Sequence, residues 1–226
     1  MTSPDAATDA RPNRPAEVRA AARSRVLTLA RALLPASDGV SDDLVSEIAD
    51  QANLSMRSFR TLFPTNADLL RAVNDELIRE CAERVAAVSH KVEPGSSAEN
   101  VRAAAEALAL AWPMNWASLS IRAHERARAL SDQTFRPEVA QIERAYVPAL
   151  LDAFLSLMAR LERRFVWPPV LGVRVVILAY ERSFESWILS GGDERNFHTS
   201  PFVQETLPQI LIGLSTPISV EDPDAG

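Results

Sequence analysis

Apolar residues recur through most of the chain at intervals of three and four, the spacing that places them on one face of an α-helix. This pattern starts at Pro15 and is interrupted only at prolines, glycines and short polar runs. No stretch alternates convincingly between apolar and polar residues, so we predict an all-α protein. The predicted helices cover residues 15–34, 44–52, 56–63, 66–90, 98–112, 114–130, 137–165, 169–190 and 201–215.

The composition indicates a globular protein and argues against a membrane-spanning one. Of the 226 residues, 47% are hydrophobic and 24% charged, the balance of a globular protein. A formal net charge of −6 excludes a protein that coats nucleic acid or membrane by charge alone. The longest uncharged run, 107–121, contains Pro113 and is too short to span a bilayer. The polar start resembles no signal peptide, so we expect a cytoplasmic protein with no membrane partner.

The second and third predicted helices are short and close together in sequence. Between them, Asn53 tolerates the left-handed backbone that a helix exit needs, and Ser55 can cap the next helix. Two short helices joined by such a turn and packed on a preceding helix make a helix-turn-helix. The second of the two is a candidate recognition helix for DNA.

The candidate recognition helix has two distinct faces. Phe59 and Phe63 are four residues apart and are predicted to face the core. The arginines and hydroxyl groups on the other face could contact DNA in the major groove. A guanidinium group can donate two hydrogen bonds to guanine O6 and N7, and hydroxyl groups can bond phosphates or base edges. An ordinary amphipathic helix with a solvated face remains the alternative. The residues on this face are Met56, Arg57, Ser58, Arg60 and Thr61.

Residues 20–75 resemble the TetR family of bacterial transcriptional repressors. The residues that match in order and spacing are Val26, Leu27, Ala30, Gly39, Ile48, Ala49, Ala52 to Ser55, Phe59, Phe63 and Asp68 to Leu70. The resemblance implies an N-terminal three-helix helix-turn-helix DNA-binding domain, followed by a C-terminal helical ligand-binding and dimerisation domain. It also implies that double-stranded operator DNA is contacted by Ser55, Met56, Arg57, Ser58, Arg60, Thr61 and Asn66.

The sequence departs from the family pattern at several phosphate-contacting positions. The family usually has a threonine pair where Asp43 and Leu44 stand, and a lysine where Asn66 stands. Because phosphate contacts supply much of the affinity for DNA, these changes leave an alternative function open beside the regulator. In that alternative, the chain is a helical ligand- or protein-binding module of the same fold that does not bind DNA tightly.

The chain is predicted to divide into four parts. Residues 1–14 lack apolar periodicity and form a disordered arm. The helix-turn-helix domain with its long connecting helix covers 15–92, and a proline- and glycine-containing linker at 93–97 follows. The helical ligand-binding and dimerisation domain covers 98–216, and 217–226 form a frayed tail.

The second domain is rich in aromatic residues that could line a site for a small apolar or aromatic ligand. Pro113 interrupts a helix between two tryptophans, and such interruptions open cavities between helices. Each candidate could equally be a core residue. The predicted ligand-binding residues are Trp112, Met114, Trp116, Arg122, Tyr146, Phe154 and Tyr180.

A homodimer is predicted through residues 169–190 and 201–215. The first segment has an apolar stripe of Val173, Val176, Ile177, Tyr180, Phe184 and Trp187, with Arg174 and Glu181 largely off it. The second repeats the pattern with Phe202, Val203, Leu207, Ile210, Leu211 and Leu214. Two such helices per subunit can form a four-helix bundle across a two-fold axis. The alternative is that both stripes are buried within their own domain.

Catalytic and metal-binding signals are weak. His90, His124 and His198 are dispersed, and no nucleophile motif or glycine-rich phosphate loop is present. A single cysteine, Cys81, excludes an internal disulfide framework. Its position in the middle of a predicted helix indicates a packed or solvated thiol. We therefore predict no enzyme activity, metal site or cofactor. The expected function is a ligand-responsive repressor that a small molecule releases from its operator.

Overall fold

A computed structural model describes residues 14–37, 40–112 and 115–218. The described residues form nine α-helices and two three-residue strands. The helices are α1 (Arg14–Leu33), α2 (Asp42–Gln51), α3 (Met56–Leu62), α4 (Asn66–Ser89), α5 (Ala98–Ala111), α6 (Trp116–Ser131), α7 (Arg136–Arg160), α8 (Pro169–Leu189) and α9 (Leu207–Gly213). The strands are β1 (Arg163–Phe165) and β2 (Ser215–Pro217). The predicted arm, 1–14, lies outside the described residues except for Arg14, which begins α1, and Gly39, Pro113 and Met114 also lie outside them.

The first of two compact units, residues 1–69, contains α1 to α3. Its core includes Val26 and Ala30 from α1, Ile48 from α2, and the rings of Phe59 and Phe63, all 0% exposed. The two phenylalanine rings lie 5.6 Å apart. The three-helix arrangement and the inward position of both phenylalanines confirm the prediction from sequence.

Arginines of α1 hold the ends of the other two helices. Arg25 donates to the carbonyl of Ala52 at the end of α2 (3.2 Å), and Arg19 donates to the carbonyl of Thr61 in the last turn of α3 (3.2 Å). The guanidinium of Arg23 lies 4.8 Å from the ring centre of Phe63. Cations are favourable at helix C-termini because the last carbonyls lack intrahelical partners.

The second unit, residues 70–226, contains most of α4 and all later elements. Its core joins the later turns of α4 to α5, α7, α8 and α9. Tyr180 stacks on Trp112 at 4.6 Å and donates its hydroxyl proton to the carbonyl of Ala109. Among the described residues, no helix combines the length and apolar character needed to cross a bilayer.

The region after α7 differs from the predicted continuous helix to Phe165. The helix ends at Arg160, and Glu162 has a positive φ of 50°, which turns the chain out of the helical path. Residues 163–165 then pair antiparallel with 215–217. Ile218 donates to the carbonyl of Glu162, so the first two residues of the predicted tail are held by this ribbon. A three-residue strand is too short to show alternation in sequence.

The predicted linker at 93–97 is a tight loop within the second unit. Gly95 donates its amide proton to the carbonyl of Arg160, and the side chain of Arg160 donates to the carbonyl of Val92. Arg163 reaches the carbonyl of Ser96. The division between the two units therefore falls inside α4 and not at this loop, because later α4 residues such as Val85 pack into the second core.

Arg163 is the buried anchor of this region, and its replacement by methionine should destabilise the protein. Its guanidinium donates to the hydroxyl of Ser215 (2.8 Å) and to the carbonyls of Ser215 and Ile212. Losing these charged hydrogen bonds should lower the free energy of unfolding by about 2–3 kcal/mol. Denaturant unfolding of Arg163→Met measures this, with the exposed Arg102→Met as control. Equal stability of the two variants would contradict the anchoring role.

Candidate functional site

The turn between α2 and α3 has the geometry of a helix-turn-helix. Asn53 has φ of 55°, and Leu54 and Asn53 donate to the carbonyls of Ala49 and Asp50. This pair of bonds is the Schellman arrangement that closes a helix. Ser55 then caps α3 by accepting a hydrogen bond from the amide of Ser58 (3.2 Å). The predicted roles of Asn53 and Ser55 in the turn are confirmed.

The outer face of α3 is open to solvent. Arg57, Ser58 and Thr61 are exposed, and Met56 is 40% exposed. The hydroxyl of Thr61 donates to the carbonyl of Arg57 (2.9 Å), which leaves its lone pairs as acceptors. The Arg57 side chain is an exposed cation at the start of this face. Among the described residues, no carboxylate lies within ion-pair distance of it.

Arg60 and Asn66 occupy a different environment from Arg57. Arg60 is half-buried and donates to the side-chain oxygen of Asn66 (2.9 Å), with Asp42 at 3.4 Å. Asn66 in turn donates to the carbonyl of Val40 (3.2 Å). These bonds tie the start of α4 to α3 and to the start of α2. Both side chains were predicted to contact DNA, and the structure gives each of them intramolecular partners.

The second unit contains two neighbouring cavities. One, of about 40 Å³, lies among α4, α5, α6, α7 and α8, and the other, of about 180 Å³, lies among α6, α7 and α8. Arg122, Arg126, Tyr146 and Glu181 belong to the linings of both. The smaller has room for a few water molecules, whereas the larger could hold a small organic molecule.

Three of the predicted ligand-binding residues, Trp112, Arg122 and Tyr146, line these cavities. Tyr180 and Phe154 are buried behind Trp112, with ring centres 4.6 and 6.0 Å from it, and line neither cavity. Trp116 also lies outside both linings. It is 49% exposed, and its backbone amide donates to Glu194 (2.8 Å). Met114 is outside the described residues.

Two arginines and two glutamates form a charged network in the cavity walls. Arg122 pairs with Glu181 and, at 3.6 Å, with Glu143, and its guanidinium lies 4.2 Å from the ring centre of Tyr146. Arg126 bridges the same two carboxylates at 2.9 and 3.2 Å. Burial acts to raise the pKa of Glu143, but the bond from Arg126 and both guanidinium charges outweigh it and lower the pKa. Glu143 therefore stays ionised at neutral pH.

Two further polar groups are buried beside the network. Asn74 on α4 donates to the carboxyl oxygens of Glu125 on α6 (3.3 Å each). Burial raises the pKa of Glu125 to about 7, although Asn74 and Arg122 act to lower it. Burial also raises the pKa of the Cys81 thiol to about 12, so this thiol is protonated at neutral pH and a poor nucleophile. Of the two alternatives left open by the sequence, a packed or a solvated thiol, Cys81 is the packed one, with 2% of its surface exposed.

The sequence analysis missed most of the polar cavity wall. Arg126, Glu143, Glu181 and Asn74 were not predicted, and Glu181 was expected off the apolar stripe of its helix. A signal was available, because Glu181 follows Ile177 by one helical turn and so shares its buried face. The remaining partners lie far apart in sequence. Within the described ranges, no cluster of three His, Cys, Asp or Glu could hold a metal ion.

The apolar stripes predicted to pair between subunits are buried within the subunit. Val173, Val176, Ile177, Tyr180 and Phe184 are at most 2% exposed, and Val203, Leu207 and Leu211 are fully buried. The predicted interface is therefore corrected: these stripes cover their own core. A helix of a globular domain needs such a stripe whether or not a partner exists. The opposite face of α8 exposes Leu171, Val175 and Leu178.

No protein-family model matches the sequence, and no curated protein matches it. Solved structures do share the fold. One assigned to the TetR family of transcriptional regulators, from Mesorhizobium loti, has a TM-score of 0.63 at 14% identity, covering 87% of this chain and 98% of its own. Another so assigned, from Rhodococcus sp., has a TM-score of 0.58 at 15% identity and covers 87% and 100%. Salmonella enterica GusR has a TM-score of 0.55 at 18% identity and covers 86% and 95%.

These similarities define the class of fold. The chain has the fold of TetR-family regulators, with an N-terminal helix-turn-helix and a C-terminal helical region. The resemblance read from residues 20–75 is thus confirmed at the level of the fold, and the structural match extends it over most of the chain.

The buried carboxyl of Glu125 should make stability fall as pH rises from about 4.5 to 7. In this window the unfolded chain has released the proton that the folded protein retains, so deprotonation favours unfolding. The contribution is about 3 kcal/mol, present below pH 4.5 and lost once the pH passes 7. Chemical denaturation of wild type and Glu125→Gln at several pH values measures it, because the difference between them should change in this window and be flat above it.

The matched control for this experiment is Glu106→Gln, which removes one negative charge from an exposed position on α5. If the wild-type and Glu125→Gln curves run parallel from pH 4.5 to 7.5, the carboxyl does not retain its proton on folding.

Proposed function

We propose that this protein is a homodimeric, ligand-responsive DNA-binding regulator of transcription, acting as a repressor in the cytoplasm. The observation that carries the proposal is the exposed polar face of α3, which starts with Arg57 beside a properly closed helix-turn-helix turn. An arginine near the start of a recognition helix can form two bonds to guanine in the major groove. Ser58 and Thr61 add hydroxyl groups on the same face.

The ligand role rests on the cavities of the second unit. Their walls combine apolar side chains with a few convergent polar groups, as binding sites for small molecules do. Residues Asn74, Leu77, Ile78 and Cys81 of α4 line the smaller cavity, and the same helix begins at Asn66 next to α3. A ligand that displaces α4 would therefore act on the helix whose first residue, Asn66, accepts a hydrogen bond from Arg60 of α3.

The dimer role rests on the outer face of α8 instead of its buried stripe. Leu171, Val175 and Leu178 are 37–53% exposed and recur at spacings of four and three, so they share one helical face. Leu155 of α7, which packs against α8, is also exposed. The partner that would cover this face is a second copy of the chain. A seven-residue recognition helix reads one short half-site, and a palindromic operator needs two recognition helices.

A second candidate function is a helical binding module of the same fold without tight DNA binding. The acidic start of α2 favours it, because Asp42 and Asp43 stand where incoming phosphates would be repelled. The two functions differ in one measurement. A regulator binds the promoter region upstream of its own reading frame with an affinity that falls as salt is raised, whereas the module does not bind it.

Arg57→Ala should weaken operator binding without unfolding the protein. Losing a two-bond base contact costs about 1–3 kcal/mol and relaxes specificity at one base pair. Fluorescence anisotropy with the upstream DNA at two salt concentrations measures the affinity, and Arg102→Ala, an exposed arginine of α5, is the matched control. Unchanged affinity in a folded Arg57→Ala protein would mean that α3 does not read DNA.

Arg60→Ala should behave differently from Arg57→Ala. Removing its bond to Asn66 and its proximity to Asp42 should lower the free energy of unfolding by about 1 kcal/mol and weaken binding for all DNA sequences alike. Thermal unfolding and binding to a randomised operator measure the two effects. A loss confined to one base pair would assign Arg60 a base contact instead.

Leu171→Glu should shift the protein from dimer to monomer. The new carboxylate would be buried without a partner at the interface, yet the subunit should fold because Leu171 is 46% exposed within it. Sedimentation velocity at micromolar concentration measures the shift, with Leu130→Glu, at an 80% exposed position of α6, as control. A wild-type monomer, or an unaffected Leu171→Glu dimer, would refute this interface.

A further inference from the structure

The larger cavity carries an excess of positive charge. Four arginines and two glutamates line it: Arg122, Arg126, Arg144, Arg174, Glu143 and Glu181. Both glutamates are already bonded by Arg122 and Arg126. An anion that enters therefore meets carboxylates whose charge is compensated, together with two arginine charges in excess.

The excess charge lies on the two exposed arginines of the lining. Arg144 donates its Nε proton to the carbonyl of Ala140, and both Arg144 and Arg174 are exposed. No carboxylate among the described residues pairs with either guanidinium. Their planar forks remain available for a carboxylate, the partner that fits guanidinium geometry best.

The rest of the wall and the size of the cavity define the body of the ligand. Tyr146, Val147, Ile177 and Leu178 provide an aromatic and aliphatic surface. The volume of about 180 Å³ slightly exceeds that of an engineered apolar cavity of about 150 Å³ that binds benzene. The cavity therefore has room for a body of about one ring.

We infer that the effector of the proposed regulator is a small organic anion, a carboxylate on a body of about one ring, bound in the larger cavity. The carboxylate pairs with Arg174, whose guanidinium has no carboxylate partner among the described residues, and the ring packs on Tyr146 and Ile177. The inference rests on the ligand-binding role proposed for the second unit. It adds the chemical class of the ligand and the helix, α8, that supplies the anion contact.

The test is isothermal titration calorimetry of the full-length protein with sodium benzoate. Benzamide keeps the ring and removes the charge, whereas inorganic phosphate keeps the charge and removes the ring. Benzoate should bind saturably and at least tenfold more tightly than either. Arg174→Gln should weaken benzoate binding by about tenfold, the usual effect of losing one charge-assisted bond. Arg182→Gln, an exposed arginine on the same helix outside the cavity, should leave it unchanged.

Each other outcome overturns a defined part of the inference. Equal binding of benzamide and benzoate would leave a ligand cavity but remove the anion. Equal binding of phosphate and benzoate would assign an inorganic anion site, and absence of benzoate binding would refute the ligand class and this site. Full benzoate affinity in Arg174→Gln would place the anion elsewhere. Because none of these titrations contains DNA, they are independent of the operator measurements with Arg57→Ala.

Discussion

An α-helix leaves its last carbonyls without partners inside the helix, and this chain satisfies many of them with arginine side chains from other elements. Arg19 and Arg25 do so for α3 and α2, Arg136 donates to the carbonyl of Ala129 near the end of α6, and Arg160 reaches Val92 beyond α4. Each bond joins two segments as well as capping one. The small helix-turn-helix core thereby gains orientation that its few apolar residues could not supply alone.

Arginine side chains also form ion pairs inside the second unit. Arg122 and Arg126 are buried or half-buried with Glu143 and Glu181 at the junction of three helices. Taking four charges out of water is costly, and well-packed apolar residues of similar volume often give equal or greater stability. In the proposed regulator, the network beside the cavity would serve recognition of a polar ligand, a role that stability alone would not require of it.

Sequence was sufficient where the signal is local. The cap at Ser55, the left-handed Asn53 and the inward phenylalanines of α3 all depend on residues within one turn of each other, and the structure has them as expected. The antiparallel ribbon forms between residues 163–165 and 215–217, which are about fifty positions apart in sequence. No local sequence pattern predicts such a pairing. The cavity wall was only partly predicted for the same reason. Glu181 pairs with Arg122 on a distant helix, and the sequence predicts only that Glu181 lies largely off the apolar stripe of its own helix.

The error over the dimer stripe has a general physical cause. Amphipathic periodicity reports that a face is buried, but the pattern is the same whether the cover is another helix of the same subunit or a second subunit. The strongest stripe on α8 covers its own core, and the opposite face, which mixes Leu171, Val175 and Leu178 with charged residues such as Arg174 and Arg182, is the one left exposed. That face is also where Arg174 and Leu178 line the larger cavity. In the proposed regulator, α8 therefore serves ligand binding and subunit pairing together.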